Sequence, residues 1–182
     1  MSYAAAITQE LRHIRPHDLL ELDHLGRAQA WVASGAPLCR LRPPATPPMH
    51  LVSYFPVMDH GYILLGAHIT SGLWLPPGGH VDMGEHPRDT VRRECMEELR
   101  TPARFLQATP LFLTIAETIG AQPHEDVSLW YGLQGDCSRL PDYDPREYRD
   151  MRWFRFNDAP FDDSDPNLER FLLKISEMSR AA

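Results

Sequence analysis

The stretch from Leu75 to Thr101, LPPGGHVDMGEHPRDTVRRECMEELRT, constrains what this chain can fold into more than any other. Its second half predicts a helix. Pro87 suits the first helical position, where the missing N–H costs nothing, and Asp89 places an anion in the first turn. Glu94, Glu97 and Glu98 fall at i, i+3 and i+4 and share one stripe of that helix. Beside it runs an apolar stripe of Val91, Cys95 and Leu99. Such a helix buries one edge and presents three carboxylates on the next. Alone, the three glutamates read as a solvated acidic face, with Arg92, Arg93 and Arg100 as neighbours to pair with. Carboxylates that crowded repel one another, and a hard divalent cation with oxygen ligands turns the repulsion into binding.

The spacing changes the weight of the two readings. Gly79 is followed after five residues by Glu85, and after seven more by Arg93-Glu94, then Cys95, Met96 and Glu97-Glu98. This pattern, with the GGHVDMGE loop ahead of it, resembles the Nudix box. Every charged position of the box is matched. Three positions depart from it. Arg100 stands where the family has glycine, Thr101 where it has an aliphatic residue, and Cys95 is a mild departure at the first aliphatic position. A glycine at the helix end accepts positive φ as a left-handed cap. With Arg100 there, and Thr101-Pro102 behind it, the helix is expected to terminate differently.

The resemblance implies an α/β/α sandwich around a mixed β-sheet, divalent-metal dependence on Mg²⁺ with Mn²⁺ as an alternative, and cleavage of the diphosphate bond of a nucleoside diphosphate linked to another group. By the same resemblance Glu94, Glu98 and Glu97 are the metal-binding positions, with a backbone carbonyl from Gly78 or Gly79 to complete the set. Arg93 and Glu85 would brace the loop against the helix and orient those ligands, with Glu85 open between ligation and bracing, and an ordinary surface ion pair is the competing reading. The general base is open between Glu97, within the box, and His124, Glu125 or Asp126 beyond it, where a plain polar loop leading into a strand is the competing reading. A nucleotide-sensing domain without hydrolysis is the rival function; its usual mark is a lost box carboxylate, and none is lost here.

At 182 residues one domain is the default, and 43% apolar with 24% charged residues is ordinary for a globular chain. The net charge of −7, without a basic block, argues against a nucleic-acid polymer as partner. A small anionic nucleotide remains compatible, because a metal can supply the local positive charge. Cys39, Cys95 and Cys137 are odd in number and far apart. They suggest neither a zinc site nor a disulfide framework, and fit a reducing, cytoplasmic compartment. The N-terminus does not read as a signal peptide, and no apolar run approaches the roughly 18 residues of a membrane span.

Along the chain, residues 1–35 read as a helical addition, 36–49 as a proline-rich connector and 50–182 as the box-bearing domain. Helical spacing covers 3–14 and 18–34, the second with Leu19, Leu22, Leu25 and Val32 on one side and a break available at Asp23. Whether the addition caps the site or builds a homodimer contact is left open. HLVSYFPVMD and YILLGAHI predict a hairpin turning at Asp59-His60-Gly61. FLQATPLFLTIAET, DVSLWYGLQGD and MRWFRF predict further strands, and PNLERFLLKISEM a final helix capped by Asp165, burying Leu168, Phe171, Leu172 and Ile175. His80 is open between a phosphate contact and a structural role. Phe55, Trp74, Trp130 and Tyr131 are open between stacking on a base and core packing.

Overall fold

The computed structural model of the protein describes residues 2–42, 46–118 and 123–181. The elements run α1 (Tyr3–His13), α2 (Leu19–Ala33), β1 (Met49–Tyr54), β2 (Val57–Asp59), β3 (Tyr62–His68), β4 (Trp74–Leu75), β5 (Gly78–His80), α3 (Pro87–Leu99), β6 (Phe112–Glu117), β7 (Glu125–Trp130), β8 (Leu133–Gln134), β9 (Tyr148–Arg155) and α4 (Leu168–Ala181). The α/β class with N-terminal helices is as expected, but the strands form two sheets rather than one. A four-stranded sheet has the order β5-β1-β7-β6, with β1 and β7 parallel. A second has the order β4-β3-β2-β8, with β9 also paired to β3.

Proline explains the division. The expected hairpin is half right: β2 and β3 pair around Asp59-His60-Gly61, but β1 belongs to the other sheet. Pro56 has no N–H to give a ladder, so the run breaks after Phe55 and resumes as β2. Its parallel neighbour breaks at the same level, between β7 and β8, and Leu133 N–H bridges the gap to the Pro56 carbonyl at 2.9 Å. FLQATPL is likewise not a strand. Of it, Phe105 forms only an isolated bridge to Leu133, and β6 starts at Phe112.

Alternation along β1 and β7 sends Leu51, Val127 and Leu129 to one face of the four-stranded sheet, where they join Val91, Cys95 and Leu99 of α3 in one apolar cluster. Ile7, Leu11 and Ile14 of the N-terminal segment belong to the same cluster. On the other face, Phe112 and Trp130 pack with Leu168, Phe171 and Leu172 of α4. Asp165 accepts the Asn167 N–H at 2.7 Å and so caps the start of α4 as expected. Phe55, Trp130 and Tyr131 are fully buried core residues.

The first helical segment buries Leu11 and Ile14 as expected, and α2 buries Val32, but α2 differs from expectation in the rest of its inward face. α2 is unbroken, capped by Asp18, whose Oδ1 accepts the Glu21 N–H. Leu19 and Leu22 are exposed, whereas Glu21, His24, Ala28 and Val32 are buried. The reason is β6, an edge strand with unpaired N–H groups. Leu113 N–H donates to Glu21 Oε1 at 3.3 Å, and Ile115 N–H to His24 Nδ1 at 3.2 Å. Polar side chains that finish a ladder outcompete leucines for the inward face. Lys174 of α4 neutralises Glu21 at 2.7 Å, in a pair whose members are 6% and 0% exposed. Removing one partner of such a pair strands a buried charge. Lys174→Met is therefore expected to lower unfolding free energy by about 3–5 kcal/mol in urea titration, while Glu177→Ala, at an exposed carboxylate, changes it little.

Candidate active site

The loop before α3 is locked to the helix by one arginine. Arg93 Nε and Nη2 donate to the two oxygens of Glu85 at 3.0 and 2.9 Å, a bidentate fork. Its Nη1 donates to Glu94 Oε1 at 2.7 Å, and Nη2 reaches the His80 carbonyl at 3.3 Å. Thr90 Oγ1 adds a 2.7 Å bond to Glu85. Glu85 is thus turned towards Arg93, and its pKa is lowered by these bonds against the opposing effect of burial. Pro87 opens the helix, with His86 accepting the Arg88 N–H as its cap.

Gly79 lies directly beneath Glu94. A Cβ at Gly79 would stand 2.1 Å from Glu94 Oε1, and one at Gly78 would stand 2.9 Å from the Ser53 carbonyl. The double glycine therefore lets β5 pass under the glutamate while paired to β1. One turn on, Glu98 is 7% exposed. Tyr148 Oη of β9 donates to its Oε2 at 2.7 Å, and the Gly78 N–H also bonds it. Burial pushes the Glu98 pKa well up, and the charges of Glu94 and Glu147 push the same way. Glu94 is raised too, chiefly by burial, against the pull of Arg93. Glu97 is the most exposed of the three, with 61% of its side chain open.

These carboxylates line a cleft of about 170 Å³ whose opposite wall carries Asp144, Arg146 and Glu147. Glu147 and Tyr148 were missed by sequence reasoning. They precede the MRWF strand, and no fixed spacing ties them to the box; an acid-aromatic pair at that strand's start was the only available signal. Glu125 is not among the residues that line the cleft. It starts β7, and its carboxylate is held by Arg27 at 2.7 Å. His124 and Asp126 lie with His50 and His80 instead. Trp74 is half-buried against Phe154, with Arg152 over its ring.

The helix end corrects one expectation. Arg100 adopts the left-handed conformation, φ 51° and ψ 27°, that a glycine would have taken. The cost of a Cβ there is about 1–2 kcal/mol. The turn delivers two compensations: the Asp144 N–H donates to the Glu98 carbonyl in the last turn at 2.8 Å, and Arg100 Nη2 approaches Asp144 Oδ2 at 3.6 Å. Asp144, itself held by Arg146, thereby ties the β9 approach to the helix C-terminus.

The donor set suits a hard divalent cation. Glu94, Glu97, Glu98, Asp144 and Glu147 line one cleft with Arg100 and Arg146, and Glu98 has no ion pair with a basic side chain among the described residues. Its raised pKa also has a sign for stability. Between the ordinary carboxylate value of 4.5 and the raised folded value, the folded state holds a proton that the unfolded state has released. Stability from this group is thus lost as pH rises through that window. Metal-free Glu98→Gln is expected to melt above the metal-free parent at pH 7.5. Calorimetry should show that difference shrinking as pH falls towards 4.5.

A family profile described as NUDIX domain matches residues 51–175. The RNA pyrophosphohydrolase of Gluconacetobacter diazotrophicus is 29% identical over 107 residues, 52% of this chain and 64% of that protein, so the chain spans under two thirds of that relative. The asymmetrical bis(5'-nucleosyl)-tetraphosphatase of Mus musculus is 29% identical over 118 residues, 60% of this chain and 74% of that protein. The crystal structure of a MutT NUDIX hydrolase from Burkholderia pseudomallei superposes with a TM-score of 0.54 at 24% identity, covering 70% of this chain and 98% of that one. With Glu94, Glu97 and Glu98 lining one cleft and the profile spanning most of the chain, the protein belongs to the NUDIX domain family.

Proposed function

We propose that the protein is a divalent-metal-dependent pyrophosphohydrolase that cleaves the diphosphate bond of a small nucleotide. The observation that carries this reading is the carboxylate cleft itself, in which buried Glu98 and half-buried Glu94 meet Glu97 and Glu147 without a basic side chain assigned to Glu98. Glu94, Glu97 and Glu98 would hold Mg²⁺ or Mn²⁺, with the Gly78-Gly79 backbone close by. When bound, the ion would neutralise the diphosphate and the charge developing on its leaving oxygen.

The chain's own residues have the remaining tasks. Arg93, clamped by Glu85, fixes the Glu94 carboxylate over Gly79, and Tyr148 fixes that of Glu98. Glu147, half-exposed across the cleft, accepts the proton of the attacking water as the P–O anhydride bond breaks. Glu97 is the other exposed carboxylate within reach of that role. A larger cleft of about 400 Å³ adjoins through Arg100, which lines both. Its Arg104, Arg139 and Trp153 offer cations for further phosphates and an indole for a base. The named activities of the two relatives, on RNA and on a bis(5'-nucleosyl) tetraphosphate, support a phosphoanhydride substrate.

The test is a nucleotide panel incubated with Mg²⁺ and resolved by chromatography. Turnover of at least one diphosphate-linked nucleotide is expected, with Glu98→Gln reducing it beyond detection and Glu147→Gln lowering kcat by about 10²–10⁴-fold. Gly79→Ala should push the Glu94 side chain off its Arg93 bond, so stability falls by about 0.5–3 kcal/mol while turnover falls. Tight binding of a nucleotide that every divalent metal leaves intact would replace this reading with the sensing one.

A further inference from the structure

On the α4 side of the four-stranded sheet, four side chains from three strands converge away from the glutamate cleft. They are His50 of β1, His80 of β5, and His124 and Asp126 at the start of β7. One ligating atom from each lies within 4.8 Å of all the others. Nε2 of His50 and of His124 are each 3.4 Å from Asp126 Oδ1, and His80 Nε2 is 4.0 Å from it. The pairing register makes this gathering: His50 faces Asp126 across the parallel ladder, and His80 pairs with Val52 two residues on.

The hydrogen-bond chemistry of this cluster is incomplete. His50 is fully buried, and its Nδ1 lies 2.9 Å from the Pro47 carbonyl, which can only accept. The hydrogen of a neutral His50 ring is therefore on Nδ1, and Nε2 presents a lone pair to the Asp126 carboxylate. Two acceptors facing each other at 3.4 Å repel, and among the described residues neither His50 Nε2, His80 Nε2 nor Asp126 Oδ1 has a hydrogen-bond partner. His124 Nδ1 lies 3.1 Å from Thr118 Oγ1, a hydroxyl that can donate or accept, and its Nε2 faces Asp126. An imidazole that gives its outer nitrogen to a carbonyl or hydroxyl and turns the other inward is oriented as metal-ligating histidines are.

We propose that His50, His80, His124 and Asp126 form a second metal site, selective for a borderline divalent transition ion of the Zn²⁺ class. Three imidazoles and one carboxylate suit such an ion, whereas Mg²⁺ prefers oxygen alone. Zn–N and Zn–O bonds of about 2.0–2.1 Å place tetrahedral donors about 3.3 Å apart, close to the two 3.4 Å separations. The cysteines suggest no zinc site, and none is needed, since the donors here are brought together by strand register. Its ion fastens β5 to β1 and β7, and so holds Gly79, next to His80, under Glu94. The site does not depend on the hydrolytic reading, and its failure leaves that reading standing.

The test uses full-length protein without a histidine tag, stripped with chelator, reloaded with Zn²⁺ or Co²⁺ and desalted. Elemental analysis is expected to find about one Zn²⁺ per chain, and the Co²⁺ form to show the intense d–d absorption of a four-coordinate ion. Glu98→Gln should keep both signals. Asp126→Asn and His80→Gln should each weaken binding by at least about 100-fold, with circular dichroism confirming that the variants are folded. His80 is partly exposed, so its variant is the safeguard if Asp126→Asn misfolds. Substoichiometric metal in the parent protein would overturn the proposal, as would a retained ion in both folded variants or its loss in Glu98→Gln.

Discussion

The structure turns on the placement of one buried carboxylate. Glu98 is 7% exposed, sits between Glu94 and Glu147, and among the described residues receives only a tyrosine hydroxyl and a backbone N–H. Desolvating a carboxylate among like charges is costly, and the raised pKa expresses that cost. Much else follows from keeping it there. Val91, Cys95 and Leu99 anchor α3 on the sheet, so the stripe carrying Glu94 and Glu98 cannot rotate away. The double glycine lets β5 run close beneath, and Arg93 holds the loop to the helix. Asp144 bonds the last turn and starts the segment that brings Glu147 and Tyr148 across.

A comparison within the molecule shows what distinguishes this group. Glu21 is also a buried glutamate, yet it is answered completely. Lys174 lies 2.7 Å away, and the N–H groups of His17 and Leu113 bond its oxygens. That glutamate serves the fold, closing the edge of β6 and joining α2 to α4. Glu98 is buried to a similar degree and given two more carboxylates as neighbours. A fold that satisfies one buried charge so fully and gives another no ion pair among the described residues supports the proposed metal-ligand role of the second. The proposed second site on the opposite face sets three imidazoles beside the Asp126 carboxylate.

What the sequence reveals depends on how local the controlling physics is. The helix over Pro87–Leu99, its buried stripe and its three carboxylates follow from spacing alone, and the structure bears them out. Pairings between distant segments were not legible. Nothing near β6 announces that its edge needs Glu21 and His24, so Leu19 and Leu22 were assigned to a face they do not bury. Pro56 is visible in the sequence, but that it passes the chain from one sheet to another depends on where β7 and β8 lie. Glu147 reaches the cleft only because β9 pairs with β3, and Glu125 is kept from it by the register of β7 with β1. Arg100 shows the reverse case: the departure from glycine was plain, while the tolerated left-handed turn depends on Asp144, forty-four residues on.

The claim at the centre is that burial of Glu98 beside Glu94 creates a cation site. A Mn²⁺ titration followed by electron paramagnetic resonance, without nucleotide, addresses it most directly. Saturable binding in the parent protein, weakened at least about 100-fold in Glu98→Gln but unchanged in Glu125→Gln, is the predicted result. Equal Mn²⁺ affinity in the parent and in folded Glu98→Gln would contradict the account.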